Sequence, residues 1–177
     1  AESRTETAIF AGGCFWSMEH DMEHIPGVIS AVSGYTGGHL DKPTYKDVIK
    51  ETTGHYEAIK VTFDPAKISY QQLVNRYWHA IDPLDAGGAY CDRGASYRSA
   101  IFVTPAQRKI AEASKNAQKP PKNEPIATVI KDAVTFWPAE DYHQDYAKKN
   151  PDHYFKYRKG CGKDARIKAL WGERAFK

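Results

Sequence analysis

The sequence predicts an α+β sandwich, a mixed sheet with helices on one or both faces. Candidate strands and helices alternate, but the strands are few and their connections short, which favours this class over a doubly wound sheet. No Gly-x-Gly-x-x-Gly follows a strand and no Gly-x-x-x-x-Gly-Lys-Ser/Thr occurs, so the usual dinucleotide and nucleotide loops are lacking. The 177 residues fit one domain, 1–177, with a core at about 7–135 and a tail at about 136–177 wrapping it. A chain of this size buries roughly 70% of its unfolded surface and needs no metal or disulfide to fold.

The elements follow in order. Thr7-Ala-Ile-Phe-Ala11 is a short apolar run stopped by Gly12-Gly13, a buried strand entering a tight turn. Phe15, Met18 and Met22 recur at helical spacing until Ile25-Pro26-Gly27 ends the helix. Val28 to Tyr35 is β-rich and closes at Gly37-Gly38. Thr44 caps a short helix with Tyr45 and Val48. Ile59, Val61 and Phe63 alternate in the clearest half-buried strand, Tyr56 to Asp64. Ser69-Tyr-Gln-Gln72 is a capping box opening a helix whose apolar face is Leu73, Val74, Tyr77 and Trp78. A Gly-rich loop, Asp85 to Gly94, leads to a strand from Ser99 to Val103, and Thr104-Pro105 with Gln107 opens the next helix. Ile126 to Ile130 reads as the last strand. Beyond Phe136 the chain is aromatic, basic and without a clear period, which predicts a long, mostly irregular tail.

Composition narrows the function. Apolar residues at 41% and charged residues at 27% describe an ordinary globular protein. A net charge of +3 is too mild for a dedicated nucleic-acid binder. No apolar run nears the roughly 18 residues that span a bilayer, so no membrane partner is expected. Three widely spaced cysteines (Cys14, Cys91 and Cys161) make neither a disulfide scaffold nor a four-thiolate zinc site. The thiols are then the candidate chemistry.

Cys14 stands in Gly12-Gly13-Cys14-Phe15-Trp16, where a strand ends and a helix begins. Free backbone N–H groups and the helix dipole there stabilise a thiolate. The glycines let the backbone bend and leave room for substrate, and Phe15 and Trp16 can wall an apolar pocket. A buried, inert cysteine among core aromatics fits the position equally well.

Gly-Cys-Phe-Trp resembles the signature of the A-type peptide methionine sulfoxide reductases. Further motifs follow in that family's order: Gly34-Tyr-Thr-Gly-Gly38, Pro43-Thr-Tyr45, Thr53-Gly-His-Tyr-Glu57, and Asp92-Arg-Gly94 leading to Tyr97-Arg-Ser99. The similarity runs from about Ile9 to Trp171. It implies a two-layer sandwich related to the ferredoxin-like plait and reduction of the S epimer of methionine sulfoxide, free or in proteins, without a cofactor. A sulfoxide sulfur is a poor electrophile until its oxygen is protonated, so the site needs a thiolate on one side and an acid on the other. The resemblance makes Cys14 the nucleophile and Glu57 the acid, whose protonated form burial beside aromatic rings favours. Tyr45 and Tyr97 would hydrogen-bond the sulfoxide oxygen, Asp92 would orient the site, and Phe15 and Trp16 would hold the methyl group. His55 is expected to face the same side as Glu57 in a supporting role.

Attack leaves a sulfenic acid on Cys14 that a second thiol resolves. Cys161, between two glycines in the tail, is the favoured resolver. Cys91, adjacent to Asp92, is the other candidate, and a relay from Cys14 through Cys91 to Cys161 stays open. Thioredoxin or a similar dithiol would reduce the final disulfide. Ser17 stands where the family usually has Gly or Cys, and a cysteine there would form C-x-x-C with Cys14, so position 17 reads as an altered resolver. A monomer is expected. Reducing chemistry favours the cytoplasm, though a periplasmic form that had lost a leader would look the same.

Two rival readings come from other classes. His20-Asp-Met-Glu-His24 matches the H-x-x-E-H of inverted zinc peptidases, but no third ligand is evident on a later helix, and no metal is expected. Residues 148–177 carry ten Lys or Arg against three acids, with Tyr154, Phe155 and Tyr157 interleaved, as on an RNA-binding surface. A basic exposed tail explains that charge more simply. Asp141, His143 and Asp145 are read as solvated on a short aromatic helix, with Tyr142 and Tyr146 packed one turn apart.

Overall fold

The computed structural model describes residues 5–12, 15–38, 40–50, 53–81, 88–89, 92–93, 95–117 and 126–171. In chain order the elements are β1 (Glu6–Gly12), α1 (Phe15–Glu23), β2 (Val28–Thr36), α2 (Tyr45–Ile49), β3 (Tyr56–Phe63), α3 (Tyr70–Trp78), β4 (Gly88–Ala89) and β5 (Asp92–Arg93). After a 3-10 turn at Ala95–Tyr97 come β6 (Ser99–Val103), α4 (Pro105–Ala117), β7 (Val129–Asp132) and β8 (Phe136–Pro138). A second 3-10 turn at Asp141–His143 leads to α5 (Tyr146–Lys149), α6 (Pro151–Gly160) and α7 (Lys163–Trp171).

Six strands form one sheet in the order β7-β6-β1-β3-β2-β8. Every pair is antiparallel except β6 with β7, so the sheet is mixed, as expected. Alternation along the strands gives it two faces. Phe10, Ile59, Val61, Phe63 and Ile101 pack in one core with Phe15, Met18 and Met22 of α1 and Leu73, Val74, Tyr77 and Trp78 of α3. Ala11, Tyr56, Ala58, Ala100 and Phe102 form a second cluster from the intervening positions. α4 joins the helical layer through α3, where the Trp78 indole donates to the Ser114 hydroxyl at 3.0 Å.

Local chemistry sets the helix starts. Thr44 and Ser69 each cap their helix in a full capping box, with Asp47 and Gln72 returning the bond to the cap backbone. Thr104 and Gln107 exchange the same pair of bonds at the start of α4. At the turn into α1, a Cβ on Gly12 would lie 2.6 Å from Ile81 Cγ2, so only glycine lets strand, helix and Ile81 approach this closely.

Two expectations are corrected. The predicted last strand at 126–130 begins at Val129, and a further strand, β8, lies beyond it on the β2 edge. The tail is not mostly irregular: α5, α6 and α7 take up most of 146–171. Tyr154, Phe155 and Tyr157 are not an exposed array either, because Tyr154 is fully buried, Tyr157 is half-buried and Phe155 alone of the three is widely open.

Candidate active site

Antiparallel register brings three chain segments to one end of the sheet. Ala11 pairs with Ala58 and Thr36 with Tyr56, so β1 and β2 end where β3 begins. Glu57 is the second residue of β3, on the face that α1 covers, and it is buried. Phe15, the first residue of α1, donates its backbone N–H to Glu57 Oε1 at 3.4 Å. That N–H belongs to the helix start, one of the groups no helical carbonyl can satisfy. Cys14, the preceding residue in the sequence, lies outside the described residues.

Four rings close around the acid's end of the helix. Phe15 lies 5.0 Å from His143 and 6.4 Å from Tyr45, centroid to centroid. Tyr45 and His143 are 4.6 Å apart. Trp16 completes the box, donating its indole N–H to His143 Nδ1 at 3.0 Å while Tyr146 stacks on its face at 3.8 Å. Burial pushes the His143 imidazole below its ordinary pKa, against the pull of Glu140. Glu140 fixes α2 as well: both its oxygens lie 3.3 Å from the Tyr45 backbone N–H, and Oε1 accepts from the Tyr35 hydroxyl at 3.1 Å.

Phe15, Trp16, Tyr45 and Glu57 are thus brought together. Tyr97 is half-buried on a 3-10 turn that packs against β3. Asp92 pairs through its backbone with Ala89, and its side chain lies outside the described residues, as does Cys91. His55 laces a turn: Nδ1 accepts from the Gly38 N–H at 3.1 Å and Nε2 bonds the Leu40 carbonyl at 2.7 Å, so the proton sits on Nε2. Ser17 is buried, and its Oγ accepts the Tyr154 hydroxyl at 3.1 Å. Cys161 caps α6 and is disulfide-bonded.

The sequence reading missed His143, Glu140, Tyr35 and Tyr146. His143 is buried rather than solvated, and Tyr146 packs on Trp16. Tyr35 stands in the Gly34-Tyr-Thr-Gly-Gly38 motif without a role assigned to it, and for the other three the one sequence signal is the aromatic, acid and histidine content of 140–146, which has no period. Elsewhere on α1, ligand atoms of His20, Glu23 and His24 lie within 4.8 Å of one another, but Glu23 is ion-paired with Lys148 at 3.3 Å.

A cysteine position at a helix start, a buried acid bonded to the next N–H and a distant cysteine already in a disulfide place this chain among the thiol oxidoreductases. The profile of the family "Peptide methionine sulfoxide reductase" matches residues 6–175, and the chain belongs to that family. It is 61% identical over 173 residues to peptide methionine sulfoxide reductase MsrA 2 of Caulobacter vibrioides, covering 97% of this chain and 88% of that protein. Peptide methionine sulfoxide reductase MsrA of Bacillus licheniformis is 49% identical over 177 residues, covering 98% and 97%. The crystal structure of reduced Mxr1 from Saccharomyces cerevisiae superposes with a TM-score of 0.76 at 30% identity, covering 84% of this chain and 87% of that one. Membership of this family gives the chain an oxidoreductase activity, where the rival readings rest on a five-residue match and a run of tail charges. No helix among the described residues is long and apolar enough to cross a membrane.

Proposed function

We propose that this chain reduces the S epimer of methionine sulfoxide, free or in proteins, with Cys14 as nucleophile and Glu57 as acid. One observation carries the reading: Glu57, deep in the core, bonds the backbone N–H of the residue that follows Cys14. That bond ties Glu57 to the helix start that follows Cys14 in the sequence, which supports pairing the two as acid and nucleophile. The Cys14 thiolate attacks the sulfoxide sulfur while Glu57 protonates the oxygen. The protonated oxygen then passes to the Cys14 sulfur: an S–O bond forms there as the substrate S–O bond and the transient S–S bond break, so methionine sulfur gains two electrons and Cys14 is oxidised to the sulfenic acid. Phe15 and Trp16 hold the methyl group, and Tyr45 and Tyr97 donate to the oxygen as charge builds on it. Asp92 orients the site.

The disulfide at Cys161 supports its role as resolver, acting on Cys14 directly or through Cys91. The resolving thiol attacks the sulfenic sulfur; an S–S bond forms, and the hydroxyl leaves as water with the thiol's proton. A low-potential dithiol such as thioredoxin then restores both thiols. The order β6-β1-β3-β2, with α1 and α3 as crossovers, supports a relation to the ferredoxin-like plait.

The test is single-turnover reduction of S- and R-methionine sulfoxide peptides without reductant, followed by mass mapping of the oxidised protein. Methionine from the S epimer alone, with Cys161 in the new disulfide, is expected. No methionine from either epimer overturns the reading.

A further inference from the structure

The corner that carries Cys161 is built around a carboxylate of another helix. Arg158 lies in the last turn of α6 and Lys163 opens α7. Between them Cys161 caps α6, donating its N–H to the carbonyls of Tyr157 and Lys159, and Gly162 takes φ +70°. That left-handed conformation suits glycine and turns the chain from one helix into the next. Both flanking cations reach Asp21 on α1: Arg158 Nη1 donates to Oδ1 at 2.6 Å and Lys163 Nζ to Oδ2 at 2.9 Å. Asp21, Arg158 and Lys163 side chains are 4%, 9% and 3% exposed.

The cluster is closed on its outer side. Asp164 accepts from Arg158 Nε and Nη2, so two carboxylates balance two cations. Arg158 also donates to the Tyr154 hydroxyl, which donates on to Ser17 Oγ. Burial alone would raise the Asp21 carboxyl, but Lys163 and Arg158 outweigh it and hold it below the usual range. Removing one partner of a buried ion cluster leaves another charge uncompensated, so the cluster holds its arrangement as a unit. Here that arrangement fixes the backbone on both sides of Cys161 to the helix that starts immediately after Cys14.

We propose that Asp21 is a positioning residue for the recycling thiol: gripped by Arg158 and Lys163, it holds the α6–α7 corner on α1 so that Cys161 stands ready to form its disulfide. The inference rests on Cys161 being the resolver. Asp21 has no part in the first step, because it lies about two turns along α1 from the helix start where substrate reacts.

The test uses the full chain as parent, Asp21→Asn, Lys163→Gln and Cys161→Ser. Each is mixed with one equivalent of a methionine S-sulfoxide peptide without reductant and quenched at intervals. Methionine, dimedone-trapped sulfenic acid and disulfide are then quantified by mass spectrometry. Asp21→Asn and Lys163→Gln are expected to form methionine within two-fold of the parent rate, with disulfide appearing at least ten-fold more slowly and sulfenic acid accumulating. Lys163→Gln keeps the Arg158–Asp21 pair, so it decides the matter where Asp21→Asn does not fold. Disulfide at the parent rate in a folded variant, or methionine and disulfide slowed together, overturns the proposal. Cys161→Ser tests the reading beneath it: a disulfide formed there at the parent rate means that another thiol resolves.

Discussion

Trp16 and His143, 127 residues apart in the chain, are joined by one hydrogen bond, indole N–H to Nδ1 at 3.0 Å. With Nδ1 accepting, a neutral imidazole must carry its proton on Nε2, which lies 3.8 Å from Glu140 Oε2. Burial keeps that ring neutral by lowering its pKa. The bond therefore selects one tautomer in the aromatic box. Trp16→Phe keeps the apolar wall and removes the donor, leaving Nδ1 without it. A buried group that loses its partner costs about 1–3 kcal/mol. Single-turnover methionine formation is expected to slow about ten-fold, with the thermal midpoint changed by only a few degrees. An unchanged rate would show that the bond only packs the box.

Glu57→Gln separates proton transfer from architecture. Gln still accepts the Phe15 N–H and fills the same buried space at the start of β3, but it has no proton to give. General acid catalysis contributes about 10²–10⁴-fold. Methionine formation is expected to fall by about that factor while circular dichroism and the thermal midpoint stay near the parent's. A variant within three-fold of the parent rate would remove Glu57 from the chemistry.

Legibility in the sequence follows the local signals. β6 is legible to the residue because its five apolar or small residues lie between a polar loop and Thr104-Pro105, and α3 because Ser69 and Gln72 announce it. α6 and α7 escape the sequence reading because the face each one buries is not an apolar stripe. α6 buries Tyr154 and Arg158, and α7 buries Ile167 and Leu170 together with Lys163, so charge and aromatic contacts stand in for a 3.6-residue apolar period. β8 escapes it because the strand is three residues long and ends in proline, which is tolerated at a sheet edge, where β8 sits. In the site, Phe15, Trp16, Tyr45 and Glu57 are legible from motifs. His143 and Glu140 reach it only through the path of the chain after β8, which no local pattern encodes.

Glu19 gives the fold a pH dependence. It is 2% exposed on α1, accepting from the Ser33 hydroxyl of β2 and from the Asp145 N–H at 2.6 Å. Burial pushes its carboxyl from 4.5 up to about 7, against those two bonds and with the Asp145 carboxylate adding to the rise. In the unfolded chain the group loses its proton near 4.5, whereas the folded protein keeps it up to about 7. The folded state thus binds the extra proton in that window; the stability it brings is full below about 4.5 and is lost as pH rises through 7. Glu19→Gln, neutral at every pH, is expected to lose less stability than the parent between pH 5 and 8. The difference should be about 1–2 kcal/mol, reduced by solvent around the exposed Asp145. Parallel midpoint-against-pH curves for the two proteins would refute it.

Ser17→Cys tests whether the site can recycle through its own helix. Position 17 follows Cys14 by three residues, the C-x-x-C spacing of a redox pair at a helix start. Ser17 is buried and accepts the Tyr154 hydroxyl at 3.1 Å. A thiol accepts that bond more weakly, so the variant should lose about 1 kcal/mol of stability. Its sulfur starts closer in sequence to Cys14 than Cys161 does and needs no α6–α7 corner to place it. After one turnover, mass mapping is expected to show a disulfide joining Cys14 to the introduced thiol, in place of one containing Cys161. Combining Ser17→Cys with Cys161→Ser should then retain thioredoxin-dependent turnover that Cys161→Ser alone has lost. A double variant that stops at the sulfenic acid would show that Tyr154 and the helix hold position 17 out of reach, so that the thiol at the end of α6 cannot be replaced from α1.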